Sequence, residues 1–507
     1  MYLMGIDVGT TGVKTILITA EGKLVAEANN SYTVQSPRTN WFEQDPVDWW
    51  NGTVLSIKQM LKESGIDRSQ ISSIGLSGMY HGSVLLGKDH KVLRPCILWN
   101  DQRTEKQSDY IIGKAGSEKL MEIAATPGGA YFTACKLLWV RDNEPEIYEK
   151  LYKLMLPKDY VRFRLTGEFA TDVSDASGTL FLNIKQRKWS KEMTALLDVD
   201  PSILPDVYES QEISGTVSKI AAEATGLRPG IPVAGGAGDQ ACAALGIGVV
   251  EEGIVSYSIG TSGVIYATSG EVRKDPDGRT NTFCHSVPGQ WCQLSCINAA
   301  AGSFQWFADN FADLERLESE KKGISVYEIL EEKASSVPAG SDKLFFLPYL
   351  AGERHPHTDA NARGVFFGYH MGHTKAHAVR AVLEGVAYSF RDCLDVIKGL
   401  GTDIREIRAT GGGAQSRLWL NIMANVSGEP IVTMEAEQGG AAFGAAILGS
   451  IGAKFFDNLK EACTKLVKTR APLEPDKKEK SLYDNYFRFF RSLYPLLKDS
   501  YKKLSDL

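Results

Sequence analysis

Apolar and polar positions lay out two similar openings along the chain. Two apolar strand-like runs, residues 2–8 and 13–19, flank the polar turn Gly9-Thr10-Thr11-Gly12. After a further turn at Glu21-Gly22-Lys23 a third run, 24–32, completes an antiparallel meander. The period then changes. Asp45 is suited to cap a helix and Pro46 to begin it, and Trp49, Trp50, Val54, Ile57 and Leu61 recur at helical spacing, the two tryptophans reading as packing residues. Strands are expected at 71–78 and 83–86 and into Trp99. Past residue 230 the pattern begins again. A strand, 231–234, enters a glycine-rich turn and a small-residue helix, and 246–253 forms a hinge. The apolar runs 254–259 and 264–267 then flank Gly260-Thr261-Ser262-Gly263. Later come a strand at 404–409, the turn Thr410-Gly411-Gly412-Gly413-Ala414, a helix at 415–426 and a small-residue helix spanning 438–446. Near the end Tyr483, Phe487, Phe490 and Tyr494 form a helical stripe, read as docking on the core, with a partner surface as the alternative.

The two hydroxyl-glycine turns carry candidate chemistry. Glycine frees the backbone to aim several N–H groups at one anion, and the hydroxyls of Thr10 and Thr11 add donors. One such turn is equally well a plain hairpin. Val8-Gly9-Thr10-Thr11-Gly12-Val13 is nearly repeated, however, by Ile259-Gly260-Thr261-Ser262-Gly263-Val264, which suggests a duplicated domain gripping nucleotide phosphates between its halves. The first copy ends its strand with Asp7, a carboxylate suited to hold a hydrated Mg²⁺, where the second has Ser258.

Composition narrows the class. A chain of 507 residues with 43% hydrophobic and 23% charged residues is long enough for two large domains, expected at 1–246 and 247–507. A formal charge of −6 and no long basic block argue against nucleic acid as a main partner. No apolar run reaches membrane-spanning length, the N-terminus has no leader pattern, and the eight scattered cysteines read as reduced thiols, so the expected location is the cytoplasm. A homodimer is left open.

Three loops at strand ends offer polar side chains. Tyr80 and His81 sit between glycines; Trp99, Asn100, Asp101 and Arg103 follow a strand, with a helix start capped at Asp101 as the plain alternative. Asp239 and Gln240 follow the turn 235–238, where Asp239 could cap a helix or accept a hydroxyl proton during phosphoryl transfer. His355 and His357, separated by Pro356, read as loop residues.

From residue 2 to about 450 the chain resembles the FGGY carbohydrate kinase family, most closely its xylulokinase branch. The match runs through Tyr131-Phe132-Thr133-Ala134-Cys135-Lys136-Leu137-Leu138-Trp139, Glu43-Gln44-Asp45-Pro46, Trp99-Asn100-Asp101, Leu156-Pro157-Lys158-Asp159-Tyr160, Thr171-Asp172 to Thr179, and the segments 345–354 and 364–368. The resemblance implies two ribonuclease-H-like, actin-type α/β domains with the active site in the cleft between them. It implies ATP and Mg²⁺, a catalytic base at Asp239, and the metal at Asp7. It places the sugar against Tyr80, His81, Trp99, Asn100, Asp239 and Gln240. Nucleotide contacts are expected at Gly9, Thr10, Thr11 and Lys14, at Gly260, Thr261 and Ser262, at Ala301 and Gln305, and at Gly412, Gly413 and Ala414. D-Xylulose is the expected sugar. Met79-Tyr80 stands where the branch usually has Gln-Met, and Cys135 replaces a common proline, so another ketose, a polyol or a sugar acid is the alternative. From other classes, an actin- or chaperone-like ATPase would use the same phosphate turns, and a sugar-responsive regulator would need a DNA-binding segment that is not found.

Overall fold

The computed structural model describes residues 1–435 and 440–507. Two mixed sheets organise the chain. In the first, Tyr2–Val8 pairs antiparallel with Gly12–Thr19, which pairs with Leu24–Ser31. On its other side Tyr2–Val8 runs parallel to Ile71–Gly78, followed by Pro232–Ala234 and the edge strand Ile213–Thr216. The second sheet repeats the plan. Gly253–Ile259 pairs antiparallel with Gly263–Ser269, and that with Trp291–Ile297; on the other side it runs parallel to Ile404–Thr410, which is followed by Ile431–Val432. The turns differ by one residue in register, Val8 facing Val13 but Ile259 facing Gly263.

The helix Pro46–Ser64 starts where the Asp45-Pro46 pair predicts, with Asp45 accepting a hydrogen bond from the Val47 N–H at 2.9 Å. Trp49 and Trp50 are buried on the first sheet, and the Trp49 indole donates to Gln44. Asp101 does not cap a helix. It takes the Phe42 N–H and pairs with Arg103, while the helix Glu105–Ala115 begins four residues later. The C-terminal helix Lys477–Ser505 buries Tyr483, Phe487, Phe490 and Tyr494 on the core of the second sheet. All eight cysteines are free, and seven are buried. Among the described residues no helix is long and apolar enough to cross a membrane.

The link between the sheets is a helix late in sequence. Gln438 and Gly439 lie outside the described residues, and the small-residue helix spans Ala441–Gly452. It lies on the first sheet, over Tyr2–Val8 and Ile71–Gly78, and crosses the helix Asp239–Gly246. Small residues make the approach possible. Gly5 and Gly75 are register partners, and a β-carbon on either would stand 1.9 or 1.7 Å from a carbonyl oxygen of this helix. Gly444 in turn meets the Cys242 carbonyl, where a β-carbon would come within 1.8 Å.

Candidate active site

The site forms where the glycine turns and strand ends of both sheets face one another. Asp7 stands opposite Lys14 across the first hairpin and beside Ser77 on the parallel strand, whose hydroxyl donates to Asp7 Oδ1 at 2.7 Å. Burial raises the Asp7 carboxyl above its usual range, against the lowering pull of the Ser77 hydrogen bond and the Lys14 charge. Asp239 is the first residue of its helix rather than the cap, a position held by Gly238, and its Oδ1 accepts the Gln240 N–H at 2.7 Å. Burial, and then the charge of Asp7, lift Asp239 to about 7. Two carboxylates thus share one end of the cleft, each making the other harder to ionise.

Beneath Asp239 lies a buried polar network. The Gly238 N–H donates to Ser174 Oγ at 3.1 Å, the Ser174 and Ser210 hydroxyls donate to Asp172, and Asp172 pairs with Lys158 at 2.9 Å. Lys158 also meets Asp159 and Asp175, all with fully covered side chains. The network holds the peptide before Asp239, and the Tyr80 ring packs on Gly238 from the other side.

A cavity of about 360 Å³ opens in front of Asp239. From the first half it is lined by Tyr80, His81, Trp99, Asp239 and Gln240, and from the second by Ser262, Asn281, Cys296, Asn298 and Arg354 among others. His81 has a left-handed backbone (φ 70°), and its Nδ1 meets the Gly178 carbonyl at 2.9 Å. Burial, reinforced by the charges of Lys136 and Arg354, holds His81 well below its usual range. It is therefore neutral, with the proton on Nδ1 and an open lone pair on Nε2. The Trp99 indole donates to Thr10 Oγ1 at 3.1 Å, tying this cavity to the first glycine turn, and Gln44 holds the Thr10 carbonyl at 2.7 Å.

A second cavity, about 720 Å³, lies on the far side of the second turn. Gly260, Thr261, Ala301, Gln305, Gly412 and Gly413 line it, with Phe304, Tyr327, Glu331 and Gln415. A larger space of about 910 Å³, under the C-terminal helix between Phe345 and Phe489, contains none of these groups.

Most sequence-predicted residues are thus gathered at the two cavities, with several placed otherwise. Ser262 faces the smaller cavity rather than the one with Thr261. Asn100 lines neither, and its Oδ1 is buried without a partner. Ala414 packs toward the second core, Thr11 is exposed, and Lys14 pairs with Glu27 at 2.7 Å. Gly9 accepts a hydrogen bond from the Tyr32 hydroxyl on its carbonyl. Sequence reasoning missed Asn281, Cys296, Asn298 and Arg354 as lining residues. Arg354 lay in a segment singled out as a motif without a role, and Asn298 opened the segment 298–306, read from the resemblance as the adenine-side helix, whereas it lines the smaller cavity.

Comparison with known proteins decides the family. The sequence models for the N-terminal and C-terminal domains of the FGGY family of carbohydrate kinases match residues 2–246 and 255–453. The chain belongs to the FGGY family. The xylulose kinase of Escherichia coli (strain K12) is 36% identical over 98% of this chain and 99% of its own length. That of Bacillus subtilis (strain 168) is 34% identical over 98% and 97%, and a gluconokinase of the same organism 30% identical over 100% and 98%. The crystal structure of xylulose kinase from Rhodospirillum rubrum superposes with a TM-score of 0.91 at 31% identity, covering 99% of this chain and all of that one. As an FGGY carbohydrate kinase, the protein acts on a sugar and ATP.

Proposed function

We propose that this FGGY kinase transfers the terminal phosphoryl group of ATP to the 5-hydroxyl of D-xylulose. The observation that carries the reading is the second glycine turn, which faces both cavities: Gly260 and Thr261 line the larger, Ser262 the smaller. A group passed between ligands in the two spaces would cross this turn, and the smaller space has Asp239 on its wall. ATP in the larger cavity would lay its base near Ala301, Gln305 and Gly413 and its phosphates toward Thr261 and Thr10. The sugar would present its hydroxyl to Asp239. As the sugar oxygen bonds to phosphorus, its proton passes to the Asp239 carboxylate and the bond from phosphorus to the ADP oxygen breaks with its electron pair on ADP. Closure of the halves keeps water from competing for the phosphoryl group.

The residues fit Mg²⁺. Asp7 supplies a hard oxygen donor whose ionised form is penalised by burial, a penalty that a cation would offset. When bound, the metal would neutralise charge on the phosphates, with Asp7 holding it and Ser77 fixing Asp7.

Support for D-xylulose among sugars is the naming of relatives similar to the chain over nearly its whole length, together with a cavity sized for a small polyhydroxylated ligand. Tyr80, buried with its hydroxyl unpartnered, makes this chain's wall different from the usual one. The test is ADP release over D-xylulose, D- and L-ribulose, L-xylulose, xylitol, ribitol, glycerol and gluconate, compared by kcat/KM. D-Xylulose should lead. A clear preference for another member replaces the named sugar, and ADP release independent of any sugar removes the kinase mechanism.

A further inference from the structure

Arg354 lines the smaller cavity from the loop after the strand Phe345–Leu347, on the same side as His81, both against Tyr131. Its guanidinium carbon lies 3.8 Å over the centre of the Tyr131 ring, which belongs to the other half of the molecule, and its Nε is buried without a hydrogen-bond partner. Among the described residues no carboxylate lies within ion-pairing distance of it. The adjacent Glu353 does not supply the missing charge: its carboxyl accepts the N–H groups of Asn298 and Arg354, and burial pushes it up to about 8. Lys136, fully covered behind Tyr131, gives its ammonium to the Tyr131 carbonyl at 2.5 Å and also lacks a carboxylate.

Acid and cation thus line one cavity without pairing: Asp239, which feels the charge of Asp7, and Arg354, which with Lys136 bears on a neutral His81. A cation kept largely out of water without a counter-charge is costly, and the cost is recovered when a ligand brings an acceptor. Guanidinium donates and never accepts; a hydroxyl can take one of its N–H groups but brings a proton that the fork cannot accept, whereas an sp² oxygen brings lone pairs alone. A ketose phosphorylated on its 5-hydroxyl is bound in open-chain form, because that hydroxyl would otherwise close the ring, and its C2 ketone is then free. A sugar acid presents the same chemistry as a carboxylate, whereas a polyol presents neither.

We propose that Arg354 is a specificity-determining residue, donating to an sp² oxygen of the substrate, ketone or carboxylate, and so setting a preference for oxidised sugars over polyols. The inference rests on the sugar occupying this cavity, as in the preceding section.

The test compares kcat/KM for D-xylulose, D-xylonate and xylitol in wild type, Arg354→Met and Arg354→Lys. Wild type should favour the ketose or the acid over xylitol; which of the two leads tells ketone from carboxylate. In Arg354→Met the preference over xylitol should fall on the order of 10- to 100-fold, with the KM for ATP unchanged. Arg354→Lys, which keeps the charge but loses the planar fork, should fall between. An equal loss on all three substrates would reduce Arg354 to a clasp on Tyr131, and an unchanged ratio would remove it from recognition. If Arg354→Met does not fold, thermal shifts of wild type decide: equal stabilisation by D-xylulose, D-xylonate and xylitol overturns the proposal. Failure of wild type to phosphorylate any sugar would instead count against the function proposed above.

Discussion

An ionised Asp239 costs the fold stability, and the catalytic role proposed for it requires that form. An aspartate in the unfolded chain titrates at about 3.9, whereas in the folded protein burial and Asp7 bring Asp239 to about 7. Because the folded value is the higher, the folded state holds its proton longer, and stability falls as pH rises through this window. Asp239→Asn removes that slope. The variant should melt above wild type, by a margin that grows from about pH 4 to pH 7 and then stays constant, while phosphoryl transfer falls on the order of 10²–10⁴-fold. Parallel melting curves across pH would mean that Asp239 is not perturbed. Asp7→Ala should fail differently, needing more magnesium for the same ATP turnover; coincident magnesium titrations would exclude the metal role. The placing of Asp7 and Asp239 in the cleft was legible in the sequence, because the first stands at the end of a strand and the second just after one, each beside glycines. Arg354 was not, since its platform, Tyr131, comes from the other half and no local pattern joins them.

At the scale of elements, the hairpins and the first capped helix followed from local rules: apolar runs of strand length, a turn of glycines and hydroxyls, and Asp-Pro before a helical stripe. The crossing of Ala441–Gly452 over Asp239–Gly246 did not, because it depends on absent side chains at long range. Gly444→Ala would push a methyl into the Cys242 carbonyl, and overpacking of this kind costs about 1–3 kcal/mol. Gly113, on the helix Glu105–Ala115 with open space around it, gives the contrast: Gly113→Ala should gain about 0.5–1 kcal/mol from helix propensity. Denaturant unfolding of the two variants checks both signs. A neutral Gly444→Ala would show that the crossing has slack.

For the whole molecule, the duplicated turn in the sequence corresponded to a duplicated sheet. The reading of two consecutive domains gave no hint that a helix from the second stretch would seat on the first sheet. Residues 1–246 expressed alone should accordingly be poorly soluble and lack a cooperative thermal transition, and co-expression with 247–507 should recover soluble protein. A monomeric 1–246 fragment with a sharp transition would show that the seat is dispensable. The same seat sets a timetable for synthesis. The strand beginning at Tyr2 leaves the ribosome well before the helix that covers it, which follows roughly 440 residues later, a delay on the order of tens of seconds at about 5–20 residues per second. From the completion of the first sheet at Pro232–Ala234 until that helix emerges, its glycine-smoothed face has no cover, and ribosome-associated chaperones are expected to bind the nascent chain over that stretch of synthesis.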